Sequence, residues 1–176
     1  MKRAFVQTAE FKAKRKATKN ATHAELLLRM YLESNPEALC MVRATLQCAS
    51  ELVQLPEADS RAVVRSVDEA LANVIRHAYK GAGGLPIEMT CWRLLADRKT
   101  RKPRGLEIDL TDSGTPFDPK KLQGRALDDV RPGGLGLHFM KSSMDVVEFR
   151  RKNGRNVLRM VKYLAPVQRE HQRQGE

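Results

Sequence analysis

The sequence predicts a two-layer α/β (α+β) sandwich, a mostly antiparallel sheet covered on one face by three helices. Three observations point there. Two-residue alternation, partial over 23–33, approximate over 87–95 and clean over 105–111, marks three strands, and 145–151 and 156–164 read as two more. The last two flank a Lys152-Asn153-Gly154 turn, and strands joined by short turns pair antiparallel. The helical stretches between them carry one apolar side each, which has to be buried against the sheet.

Residues 1–22 form a basic, weakly patterned lead-in, expected to be mobile. From His23, Leu28, Met30 and Leu32 alternate with Arg29, Tyr31 and Glu33, favouring a strand. Asn35-Pro36-Glu37 starts a helix: a capping amide, a proline in the first turn, then an acid suited to the helix dipole. That helix should run through Leu39, Val42, Leu46 and Leu52, carrying Cys40 and Cys48 as small core residues. Leu55-Pro56-Glu57 breaks it and starts a second helix, which Gly81-Ala82-Gly83-Gly84 ends near Lys80. Two strands come next, 87–95 and 105–111, the second with Leu106, Ile108 and Leu110 inward. The basic run Arg98-Lys99-Thr100-Arg101-Lys102-Pro103-Arg104 joins them as a long hairpin loop. A turn-rich segment from Asp112 to Pro119, a polar stretch from Lys120 to Pro132 and a helix through Phe139, Met140 and Met144 precede the closing hairpin. The domain is expected over 23–165, with a polar tail at 166–176.

The 176 residues, 41% hydrophobic and 30% charged, suit one domain with a sizeable core. No apolar run spans a bilayer and no leader pattern opens the chain, so a cytoplasmic protein with no membrane partner is expected. Three cysteines without CxxC spacing argue against zinc or a disulfide framework. The net charge of +11 permits nucleic acid, an anionic membrane or an acidic protein as partner. Aromatics are only 5% and do not interleave with the basic runs, which disfavours direct nucleic-acid binding, although the basic tail leaves it open.

Three segments look out of place on structural grounds. Glu69, Asn73 and His77 are spaced by four and share one side of the second helix, while Val67, Leu71, Val74 and Ile75 suit its buried side. Such polar residues more often mark a solvated face, but a carboxylate and a carboxamide one turn apart can also share a metal ion and a reacting hydroxyl. A strand ends in Asp112-Ser113-Gly114, where the carboxylate can accept from an exocyclic amine. Gly133-Gly134-Leu135-Gly136-Leu137 opens a helix, where bare backbone amides and the helix N-terminus favour phosphate.

In this order the three segments resemble the ATP-binding boxes of the GHKL ATPase superfamily, with its Bergerat or histidine-kinase-like ATPase fold. More narrowly they resemble the anti-sigma factor serine/threonine kinases, from about Glu33 to Leu164. Glu69-Ala-Leu-Ala-Asn73-Val-Ile-Arg-His77 matches the Glu-x-x-x-Asn box. Asp112-Ser-Gly-Thr-Pro-Phe-Asp-Pro119 matches the first glycine box. Gly133-Gly-Leu-Gly-Leu137, with Asp145 further down the helix, matches the second. The resemblance implies ATP and Mg²⁺ as ligands. Asn73 would hold Mg²⁺, and Glu69 would orient or deprotonate the attacking hydroxyl. Asp112 would bind the adenine amine, with Gly114 and Phe117 beside it. Gly133, Gly134, Leu135, Gly136 and Leu137 would wrap phosphates and sugar. Arg76 would contact phosphate and His77 would flank the base, while Lys120 to Pro132 would form a lid.

The same resemblance implies a kinase that phosphorylates a STAS-type anti-anti-sigma protein, binds a sigma factor and works as a homodimer. The alternatives are a non-catalytic ATP-binding regulatory module, or the catalytic domain of a histidine kinase working in trans. The basic lead-in and the 97–104 insertion depart from the family pattern and leave the partner open.

Overall fold

A computed structural model describes residues 24–96, 104–117 and 135–165. The lead-in, most of the basic loop, the expected lid, Gly133 and Gly134 therefore lie outside the described residues, as does the tail from 166.

Five strands form one sheet: β1 (Ala24–Glu33), β2 (Pro86–Leu94), β3 (Gly105–Asp112), β4 (Val146–Lys152) and β5 (Arg155–Tyr163), in the order β1-β2-β3-β5-β4. Every pairing is antiparallel. The Asn153-Gly154 corner takes positive φ at both residues (50° and 77°), the conformation a tight β-hairpin turn demands.

Helices α1 (Leu39–Leu52), α2 (Glu57–Asn73) and α3 (Leu135–Ser143) supply the second layer. The Asn35 side chain accepts from the Glu37 N–H (3.0 Å), capping a short 3-10 turn that leads into α1. Apolar residues at helical spacing, Val42 and Leu46 on α1 and Val63, Val67 and Leu71 on α2, meet the inward column of the sheet. That column contains Ile87, Met89 and Cys91 of β2, Leu106, Ile108 and Leu110 of β3, and Leu158 and Met160 of β5.

Several expectations need correction. Cys40 and Cys48 are exposed, because they fall on the side of α1 turned away from the core; only Cys91, inward on β2, is buried. Leu52 is likewise exposed. Asp145 lies beyond the end of α3, at the entry to β4, where its Oδ2 accepts from the Tyr163 N–H (2.6 Å). It ties the helix–strand junction to β5. Val74 and Ile75 are only partly buried against the core.

The register builds the site end of the sheet. One lateral row across the inward face reads Leu32, Ile87, Asp112, Asn156 and Arg151. The adjacent row, Met30, Met89, Leu110, Leu158 and Phe149, is wholly apolar. The inward face thus turns polar over its last row, at the β3–β5–β4 side.

Candidate active site

The α2 helix does not end where its α-helical hydrogen bonds end. After Asn73 the chain continues as one π turn, Val74–Ala78, in which the Tyr79 N–H reaches the Val74 carbonyl (2.9 Å). π turns of this kind are frequent at functional sites. Lys80 and Gly81 then adopt positive φ (53° and 80°), closing the helix as the glycine-rich segment predicts. Buried Ser34, just past β1, anchors the glycine-rich connection to β2: its Oγ donates to the Ala82 carbonyl (2.7 Å) and accepts from the Leu85 N–H (3.0 Å).

The π turn is the platform for the Asp112 loop. The Ala78 carbonyl accepts from the Thr115 N–H (2.9 Å). The Tyr79 hydroxyl donates to the Pro86 carbonyl (2.5 Å) and accepts from the Ser113 N–H (3.1 Å). Gly114 lies so close to Ala78 that a Cβ would stand 2.6 Å from its carbonyl oxygen. Glycine is needed at 114 for close approach to another backbone, not for a left-handed φ. Two consecutive residues at the end of one motif thus hold the other motif by its backbone.

Asp112 is buried, and its Oδ1 accepts from the Gly114 N–H and from Asn156 Nδ2, both at 2.8 Å. No donor among the described residues lies on its Oδ2. Glu69 reaches α3: a Cβ on Gly136 would lie 2.0 Å from Glu69 Oε1, so the carboxylate rests on the bare backbone at the start of that helix. Its Oε1 is also 3.6 Å from Arg76 Nη2. Arg65, one turn before Glu69, stacks its guanidinium 4.3 Å from the Phe139 ring centre and so supports the α2–α3 contact. Asn73 is half-buried one turn on, and its carboxamide has no hydrogen-bond partner among the described residues.

The remaining predicted residues divide. Arg76 is exposed, donating to the Ala72 carbonyl (3.2 Å) and pairing with Glu69. His77 is exposed. Leu137 packs on the hydrophobic core, and Phe117 stacks on Phe149 of β4 with ring centres 4.1 Å apart. Leu135 begins α3.

Sequence reasoning missed Asn156 and Tyr79. Asn156 had a readable signal: a carboxamide at the inward position of a strand whose other inward residues are Leu158 and Met160. Tyr79 had none, since its hydroxyl acts across residues far apart in the chain.

The family model described as "Histidine kinase-like ATPase domain" matches residues 32–162, most of the chain. "Serine/threonine-protein kinase BtrW" of Bordetella bronchiseptica is 33% identical over 103 residues, covering 56% of this chain and 67% of the relative. "Serine-protein kinase RsbW" of Bacillus pumilus is 30% identical over 146 residues, 78% of this chain and 86% of the relative. The chain belongs to the anti-sigma factor serine/threonine kinases of the histidine kinase-like ATPase superfamily. A further relative, "Serine-protein kinase RsbW" of Staphylococcus epidermidis, is 26% identical over 80% of this chain. Membership makes ATP the ligand class of this domain. No helix among the described residues is long and apolar enough to cross a membrane.

Proposed function

We propose that this kinase transfers the γ-phosphoryl group of ATP to a serine or threonine of a STAS-type anti-anti-sigma protein, and that it binds a sigma factor. The observation that carries the reading is the position of Glu69. Its carboxylate lies on Gly136 of the second glycine box, one helical turn from Asn73, in the helix whose end holds the Asp112 loop. One side chain therefore touches the element expected to wrap the phosphates, while its own helix supports the element expected to hold the base.

Phosphoryl transfer depends on positioning and charge neutralisation more than on covalent help. Asp112 accepts the adenine amine through Oδ2, with Gly114 and Phe117 bordering the base and His77 at its edge. Gly133 to Leu137 wrap the phosphates and sugar. Arg76 leaves Glu69 for phosphate, since a guanidinium pairs well with either anion. Glu69 then orients the acceptor hydroxyl and takes its proton.

The residues present fit Mg²⁺. That ion keeps several waters, and in such sites it is held mainly by substrate phosphates with one or two protein oxygens. Asn73 offers a carboxamide oxygen with no competing partner among the described residues. When bound, the ion supplies charge neutralisation on the phosphates.

The test is transfer of label from γ-labelled ATP to a cognate STAS protein in the presence of Mg²⁺. Wild type labels the partner and Glu69→Ala does not; equal labelling by both, or by neither, refutes the reading. The same reading places the protein in the cytoplasm as a homodimer. Light scattering coupled to size exclusion should give twice the chain mass at micromolar concentration, and a monomer there counts against it.

A further inference from the structure

Asn156 makes four side-chain hydrogen-bond contacts, and none of the three sequence motifs includes it. Its Nδ2 lies 2.8 Å from Asp112 Oδ1, 3.1 Å from the Thr115 carbonyl and 3.4 Å from the Gly114 carbonyl. Its Oδ1 accepts from Arg151 Nη1 at 2.6 Å. With three acceptors on one side of the amide and a guanidinium on the other, only one amide orientation is consistent. The group is buried and lies in the polar row between Asp112 and Arg151, so β4, β5 and β3 all contribute to holding it.

The consequence falls on Asp112. Its Oδ1 receives one N–H from Asn156 and one from Gly114, which uses both lone pairs in the carboxylate plane. Only Oδ2 is left to accept, and the carboxylate cannot pivot without giving up those two bonds. Such an oxygen accepts a base amine and opposes a base carbonyl, since two acceptors face to face leave both unpaired.

On this basis we propose that Asn156, itself oriented by Arg151, is the positioning residue that sets base specificity in this kinase by fixing which oxygen of Asp112 is offered. This deepens the assignment of Asp112 to the adenine amine and rests on it. A residue needed only for folding would weaken all nucleotides alike. Loss of Asn156 should selectively weaken binding of those with an amine.

The experiment is calorimetric titration with ATP and with inosine triphosphate, which presents a carbonyl where ATP presents the amine. Wild type should prefer ATP by about 10-fold or more, as expected for a hydrogen bond to a charged group. In Asn156→Ala the ATP affinity should fall about 10-fold, inosine triphosphate affinity should change little, and the preference should approach one. Arg151→Met alters an exposed side chain and leaves Asp112 untouched, so it serves if Asn156→Ala does not fold; there the preference should drop several-fold. If wild type discriminates and the folded variants keep its preference, or lose both affinities in proportion, the role of Asn156 is overturned. If wild type itself shows no preference, the assignment of Asp112 to the base amine is what fails.

Discussion

Replacing Gly136 with alanine separates stability from chemistry more cleanly than changing Glu69 directly. The added Cβ would lie 2.0 Å from Glu69 Oε1, 2.1 Å from Cδ and 2.3 Å from Cγ. Restoring ordinary contact at 3.4 Å from the oxygen requires a shift of 3.4 − 2.0, or about 1.4 Å. The obstacle is the far end of a flexible side chain about one-third exposed (32%), so Glu69 can yield while the backbone stays. A strained rotamer costs about 0.5–1.5 kcal/mol. Loss of the Arg76 pair costs about 0–1 kcal/mol, because the arginine is 56% exposed and the pair is screened. Alanine regains up to about 1 kcal/mol of helix propensity. Stability should therefore change by only about 1 kcal/mol, a melting shift of about 2–4 °C. A catalytic group displaced by about 1 Å can lose about 100-fold in rate. The assays are a thermal melt, ATP titration and transfer of label to the STAS partner. The expected outcome is a near-normal melt with transfer down about 100-fold at saturating ATP, the titration separating this from any loss of ATP affinity caused by altering the phosphate-wrapping box. Wild-type transfer with a wild-type melt would refute the idea that Glu69 works from its place against Gly136.

Gly114→Ala should behave differently: the added Cβ meets the Ala78 backbone at 2.6–2.7 Å, so the loop itself must move. The expected result is a stability loss of about 1–3 kcal/mol with weakened ATP binding, read by denaturant melts and calorimetry. Asn73→Ala should abolish the Mg²⁺-dependent part of nucleotide binding, whereas Glu69→Ala should retain binding and stop transfer; titrations with and without Mg²⁺ distinguish the two. Cys40 and Cys48 should react quickly with a thiol reagent while Cys91 reacts only on unfolding, because burial first and the nearby Asp109 second push the Cys91 thiol up to about 12. Since that pKa is raised on folding, its contribution is fully present below the unfolded value near 9 and is lost as pH rises from there towards 12. Denaturant melts between pH 8 and 11 should show stability falling above pH 9 in wild type and a smaller fall in Cys91→Ala.

Much of this protein was legible in its residue order. Alternation located the first three strands and the Asn153-Gly154 turn the closing pair, while Asn35, Pro56 and the glycines after Lys80 located the other breaks between elements. These signals are local, and each acts through the backbone conformation of a few neighbouring residues. The spacing of Glu69 and Asn73 was legible for the same reason, because helical periodicity alone puts them on one side. Where a residue's surroundings depended on packing, composition misled: cysteine is commonly buried, yet Cys40 and Cys48 lie on the outward side of α1, and Asp145 closes a junction outside the helix.

The sequence by itself determined the elements, their antiparallel character and the three motifs, because hydrophobic period, turn chemistry and capping are written within short windows. Only the tertiary structure decided what those motifs lean on. The register of five strands brought Asp112, Asn156 and Arg151 into one row. The π turn after Asn73 gave the Asp112 loop a carbonyl and a tyrosine hydroxyl to dock on. The approach of α3 to α2 set Gly136 against Glu69. Apart from the Arg151–Asn156 pair across the closing hairpin, these contacts join residues tens of positions apart, and their geometry comes from how the layers pack, which no local pattern encodes.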